Sequence, residues 1–129
     1  MQRKPMPPER PSITKSFKLA YQHKNGEMDI MKFYFIVGMY DDGTPGEVFV
    51  KADKTGTLAA GALDACAIMM SIALQHGIPL RELTSKLKGT RFGPSGSTKD
   101  SNIPMTSSPF DLLARWLESK FPESEEKQS

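Results

Sequence analysis

Residues 29–40 read D-I-M-K-F-Y-F-I-V-G-M-Y, and their spacing decides the fold. Met31, Phe33, Phe35, Val37 and Met39 fill every odd position after Asp29. Side chains alternate faces along a strand, so one face here is wholly apolar and has to be buried. The even positions mix Ile30, Lys32, Tyr34, Ile36, Gly38 and Tyr40. Upstream, residues 13–22 repeat the period of two, with Ile13, Phe17, Leu19 and Tyr21 on the apolar side. Asn25-Gly26 lies between the two runs and predicts a two-residue hairpin turn, because both positions tolerate positive φ. Downstream, D-D-G-T-P-G (residues 41–46) is a dense turn signal. Residues 47–51 then return through Val48, Phe49 and Val50. Three consecutive strands with short connections predict an antiparallel meander.

The period then changes. Residues 58–76 carry only Asp64 and Ser71 as polar side chains before Gln75, and Gly77 follows as a helix-closing residue. A helix apolar nearly all round is expected to be buried. Its small residues Ala59, Ala60, Gly61, Ala62, Ala65 and Ala67 would let it sit close to the strands. Pro79 is placed to open a second helix with the stripe Leu80, Leu83 and Leu87, ending at Gly89. Ser108-Pro109-Phe110-Asp111 reads as a capping box that opens a third. Phe110, Leu113 and Leu117 share one face of it, with Leu112 and Trp116 alongside. The expected architecture is therefore α+β: a three-stranded meander covered by a long buried helix, plus two amphipathic helices. Residues 12–121 form the domain. The proline-rich segment 1–11 and the acidic segment 122–129 are expected to be disordered, having too little apolar surface to offset ordering entropy.

Composition narrows the class of function. The chain has 129 residues and a formal charge of +2, from 17 Lys and Arg against 15 Asp and Glu. That fits one domain of ordinary size, and the charge is too weak to signal a nucleic-acid partner. The single cysteine, Cys66, excludes an internal disulfide and a cysteine zinc cluster, and fits a reducing, cytoplasmic setting. No run of about 18 uninterrupted apolar residues points to a membrane span. The basic N-terminus lacks the apolar stretch of a secretory signal.

Chemistry is most plausible in residues 89–107, G-T-R-F-G-P-S-G-S-T-K-D-S-N-I-P-M-T-S. Structureless connections of this length are uncommon in compact domains and are usually functional or disordered. Arg91, Ser95, Gly96, Ser97, Thr98 and Lys99 offer cations, hydroxyls and glycine-freed amides that suit a phosphate or another anion. The stretch matches neither a P-loop nor a dinucleotide fingerprint, and a purely structural loop is the alternative. Thr55-Gly56-Thr57, at the mouth of the long helix with Lys51 and Lys54 upstream, is a second anion candidate; simple capping by Thr57 is its alternative. Asp64 either faces solvent or pairs with Arg91 or a lysine. Cys66 reads as a small hydrophobe. His76 is placed to cap helix carbonyls, and His23 and His76 have no metal-ligand spacing. No Ser/His/Asp set is assembled by the sequence, so no catalytic residue is assigned.

Three segments carry a resemblance: G-M-Y-D-D-G-T-P-G-E-V-F-V-K (residues 38–51), K-T-G-T-L-A-A-G-A-L-D-A-C-A-I-M-M-S-I-A-L-Q-H-G-I-P-L (54–80) and T-R-F-G-P-S-G-S-T (90–98). Shorter matches are P-E-R-P-S-I-T-K-S-F (8–17), N-I-P-M (102–105) and F-D-L-L-A-R-W-L (110–117). Together they resemble the C-terminal TSCPD domain of adenosylcobalamin-dependent ribonucleotide reductases. In that family the radical chemistry, the cobalamin and the reactive cysteines belong to a large barrel domain. The resemblance thus implies no cofactor in this chain and no ribonucleotide reduction by it alone. It implies a free-standing accessory or regulatory domain in deoxyribonucleotide metabolism. Such a domain would bind a reductase, a nucleotide or phosphate through residues 91–99 and the hairpin residues Tyr40, Asp42, Gly43 and Glu47. Two other readings stand beside it: a homo-oligomeric interaction module, joined through an exposed sheet edge or the Trp116 helix, and a small enzyme using Asp64 and the 89–107 loop.

Overall fold

The computed structural model describes residues 2–53 and 57–122. Its element order is β1 (Ser12–Gln22), β2 (Met28–Met39), β3 (Pro45–Ala52), α1 (Leu58–Gln75), α2 (Leu80–Leu87), β4 (Gly96–Ser97), β5 (Met105–Thr106) and α3 (Pro109–Lys120). The strands form one antiparallel sheet in the order β3-β2-β1-β4-β5. The meander is present as expected, but the sheet has five strands rather than three. β4 and β5 come from the connection 89–107, which is folded rather than structureless. Two-residue strands such as Gly-Ser and Met-Thr carry no readable period, so only tertiary pairing reveals them.

The odd positions of β1 and β2 face the core: Phe17, Leu19, Met31, Phe33, Phe35 and Val37 are all buried. Both hairpins close on glycine at positive φ, Gly26 at 91° and Gly43 at 87°. Asn25 does not join Gly26 in that region. The first turn therefore widens from the expected two residues to 23–27, tied by His23 N to the Glu27 carbonyl at 2.8 Å.

The helices differ from expectation in rank. α3 is the buried one: Phe110, Leu112, Leu113, Ala114, Trp116 and Leu117 are enclosed, and the Trp116 ring lies 5.9 Å from Phe35. α1 instead lies along β3. It sends Leu63, Ala67, Met70 and Leu74 inward and leaves its opposite side open. By length and composition α1 is apolar enough to cross a membrane; here four of its apolar side chains belong to the domain's own core. Ser71 Oγ accepts from Val48 N at 2.8 Å and lies 3.1 Å from the Val48 carbonyl oxygen, while Gln75 Nε2 donates to Gly46 O at 3.0 Å. α1 ends as expected, with Gly77 at φ 90° and Ile78 N donating to Ala73 O. His76 Nδ1 sits 2.9 Å from Ile72 O.

α3 begins at Ser108, whose Oγ accepts from Asp111 N at 2.9 Å. Asp111 does not return to Ser108, as a full capping box would require. Its buried carboxylate accepts from Gly89 N at 2.8 Å and from Thr106 Oγ1 at 2.7 Å. One side chain thus pins both ends of the 89–107 connection to the helix start. Residues 2–11, expected to be solvated, have no helix or strand but lie against the domain. Lys4 N donates to Gln75 O at 2.7 Å, Tyr40 Oη donates to Lys4 O at 2.7 Å, and Arg10 pairs with the buried Glu47.

Candidate functional site

Pairing of β4 with β1 sets Ser97 opposite Ala20 and Gly96 opposite Tyr21. A Cβ on Gly96 would run into the Ala20 carbonyl, so only glycine permits this approach. The pairing forms a recess of about 480 Å³ over the β1–β4 edge. Four residues of the 89–107 connection line it, Ser97, Thr98, Lys99 and Asp100, together with Lys15, Ser16, Phe17, Lys18 and Ala20 of β1 and Ile30 of β2. Lys15, Lys18 and Lys99, and the hydroxyl residues Ser16, Ser97 and Thr98, all border it.

The groups in this recess have distinct tasks. Asp100 Oδ1 accepts from Asn102 N and Ile103 N at 2.9 and 3.1 Å, and its other oxygen binds Lys15 Nζ at 2.8 Å. The Lys15 contact, more than the backbone bonds, holds the Asp100 carboxyl below the usual carboxylate range. Thr98 Oγ1 donates to the Ile103 carbonyl and accepts from Asp100 N. Thr98, Asp100 and Lys15 therefore fix the turn. Lys18, Lys99, Ser16 and Ser97 are left facing the recess, and among the described residues neither Lys18 nor Lys99 has an ion-pair partner. Ser16 and Lys18 were missed by sequence reasoning because the polar positions of an alternating strand look merely wet, and Lys15, a cation on the apolar side of β1, because its partner Asp100 lies on another segment.

The other candidates go elsewhere. Arg91 and Ser95 line a separate depression of about 510 Å³ with Phe92, Gly93 and Ser107. Thr57 caps α1 by accepting from Ala60 N at 3.1 Å, while Thr55 and Gly56 lie outside the described residues. Tyr40, Asp42 and Gly43 line a recess of about 560 Å³ beside His76, Gly77 and Arg81. The Asp42 carboxyl is held low by the Thr44 hydroxyl at 2.7 Å and the Thr44 amide at 3.0 Å. Glu47 turns away from that recess to Arg10. Asp100 reaches Lys15, which stands opposite Phe35, so the hairpin begins about 17 Å further along β2 at about 3.3 Å per residue. The hairpin and the 89–107 residues line separate recesses.

Asp64 is exposed on α1, and none of the five recesses described includes it. Burial pushes the Cys66 thiol up, which suits a small hydrophobe rather than a nucleophile. Among the described residues no three His, Cys, Asp or Glu side chains gather as a metal site. Each imidazole has one partner, His23 with Asp29 at 2.9 Å and His76 with Ile72 O at 2.9 Å.

A second surface is apolar. The outward side of α1 exposes Leu58 (89%), Met69 (66%), Ile68 (53%) and Ile72 (43%). Trp116, by contrast, is inside, so the Trp116 helix offers no such surface.

The fold is a small α+β module with a lysine-lined recess at one sheet edge and an uncovered apolar side on α1. The TSCPD domain family model matches residues 4–121, and the chain belongs to that family. It is 37% identical over 115 residues to a vitamin B12-dependent ribonucleotide reductase of Rhodopirellula baltica; the match takes in 89% of this chain and 10% of that protein. A protein of the same description from Streptomyces avermitilis also matches at 37% over 115 residues, 89% of this chain and 11% of its own length. One from Bradyrhizobium diazoefficiens matches at 36% over 87 residues, 67% of this chain and 7% of its own. The chain thus spans about a tenth of the length of the first two relatives. No solved structure matches it significantly.

Proposed function

We propose that this chain is an accessory module of ribonucleotide reduction that docks onto a reductase through the outward face of α1 and does not catalyse the reaction alone. The observation that carries this reading is the uncovered apolar side of α1, with Leu58, Ile68, Met69 and Ile72 in water. Contiguous apolar surface of this kind marks a protein contact. In the relatives the same domain is a minor part of a reductase chain, so a reductase surface is the natural cover. Immobilised chain should bind a purified B12-dependent ribonucleotide reductase. Met69→Lys combined with Ile68→Lys should abolish that binding while the melting temperature holds. A wild-type dimer that the double variant converts to monomer, with no reductase binding, would replace this reading with the homo-oligomeric one.

The β1–β4 recess favours a second activity within the same module, binding of a nucleotide or phosphate. Lys18 and Lys99 face it with Ser16 and Ser97, a donor set suited to phosphate oxygens. Thermal shifts against ribonucleotides, deoxyribonucleotides and inorganic phosphate test it, since a ligand at about 100 times its Kd stabilises the fold by about 2.7 kcal/mol. Lys18→Ala and Lys99→Ala should each shrink the shift. Arg91→Ala should not, because Arg91 borders a different depression. A flat screen would remove the ligand and leave the docking reading untouched.

A further inference from the structure

The sheet's other face is open, and its register sorts charge in a way that a net charge of +2 hides. Lys18 stands directly opposite Lys32, and Tyr34 lies between Ser16 and Lys51. Phe49 pairs with Ile36 one row along, diagonal to Tyr34. Tyr34 and Phe49 are 37% and 47% exposed. The Lys32 ammonium sits 4.9 Å from the Tyr34 ring centroid. The carboxylates around this patch are engaged: Asp53 accepts from Lys32 N at 3.0 Å, Asp100 holds Lys15, and Glu47 holds Arg10. Among the described residues Lys18, Lys32 and Lys51 form no ion pair. Like charges directly opposed across strands are destabilising, so the Lys18–Lys32 pair costs the free protein stability that a bridging anion would restore.

We propose that this face binds single-stranded nucleic acid, stacking bases on Tyr34 and Phe49 and holding phosphates with Lys18, Lys32 and Lys51. Charge complementarity calls for a polyanion, and two exposed rings among the cations call for one that carries flat bases. An acidic peptide would meet the lysines and leave the rings unused. A free mononucleotide needs walls, since small-ligand sites are concave, and this face has none. Ser16 and Lys18 also border the β1–β4 recess, so the cationic track runs on to Lys99. At about 4.8 Å between strands it crosses about 14 Å from β3 to β4, room for a few nucleotides.

The test is fluorescence anisotropy of a labelled single-stranded oligothymidylate of about twelve nucleotides, within the usual site size, titrated with the full chain at several salt concentrations. Binding should weaken with salt. The combined Lys18→Ala, Lys32→Ala and Lys51→Ala variant should lower affinity at least tenfold and flatten the log–log salt slope by about 2, at about 0.7 per phosphate contact. Tyr34→Ala should weaken binding about fivefold or more with the slope unchanged, as loss of one stacked base requires. Circular dichroism melts confirm that each variant is folded. The proposal is overturned if the oligomer fails to bind at low salt, or if Tyr34→Ala binds as the wild type does. It is equally overturned if polyglutamate displaces the oligomer at equal charge, or if Lys99→Ala alone abolishes binding while the sheet variants keep it.

Discussion

Asp111 and Asp100 do at the residue scale what the 89–107 connection cannot do for itself. Asp111 ties Gly89 and Thr106 to the start of α3; Asp100 ties the turn at 100–103 to Lys15 on β1. Neither role is legible in the sequence. Asp111 looks like half of a capping box, and Asp100 like a turn residue, because their partners lie on other segments. The Asp100 pair makes a prediction about acid. Its carboxyl ionises below the range of the unfolded chain, so folding is favoured when it is charged. That contribution is present above the usual carboxylate range and is lost as pH falls through the lowered value. Asp100→Asn should therefore melt below the wild type near neutrality, and the gap should close only at strongly acidic pH. Melting curves taken over a pH series check this, and a gap independent of pH would reassign Asp100 to packing.

At the scale of elements, the period of two in residues 13–22 and 29–40 was enough to place two strands and their buried faces. The same reading put the wrong helix at the centre. Hydrophobicity alone makes α1 the buried helix, since only Asp64 and Ser71 interrupt it before Gln75. It cannot say whether the cover for its second side comes from this chain or another. α3 looks ordinarily amphipathic yet sits deeper, with Leu112, Leu113 and Leu117 fully enclosed. The ranking is open to mutation. Leu113→Ala should cost about 2–5 kcal/mol, as large-to-small changes in a packed core do. Ile72→Ala on the open side of α1 should change stability by about 0.5 kcal/mol or less. Chemical denaturation of the two variants measures both, and comparable losses would mean that α1 is covered in solution. The candidate residues show the same division. Ser97, Thr98 and Lys99 do share a recess, while Arg91 and Ser95 line another, since pairing with Ala20 and Tyr21 carries β4 to the edge of β1.

Across the whole molecule, the segment before β1 is the least legible part. Residues 2–11 have the composition of a solvated tail, yet Arg10 supplies the counter-charge for Glu47, which is otherwise enclosed beside Gly38. The carboxylate in turn holds the Arg10 guanidinium charged. Arg10→Ala leaves Glu47 buried with its charge unmatched, and removing one member of such a pair is costly. The variant should melt below the wild type, and Glu47→Gln in the same chain should restore most of the loss by removing the stranded charge. A double-mutant cycle by thermal melting reads the coupling directly.

The hydroxyl of Ser71 and the amide of Gln75 occupy main-chain groups of β3 at Val48 and Gly46. A bare strand edge is a template on which another molecule can lay a strand and grow a cross-β polymer. Here a helix staples that template at Gly46 and Val48, and β4 covers the far side of β1 only at Ala20 and Tyr21. Among the described residues no strand lies against the outer margin of β1 from Ser12 to Leu19. An intruding strand has that margin to grip, and Lys15 and Lys18 stand along it as the charges that keep a second copy from laying down there.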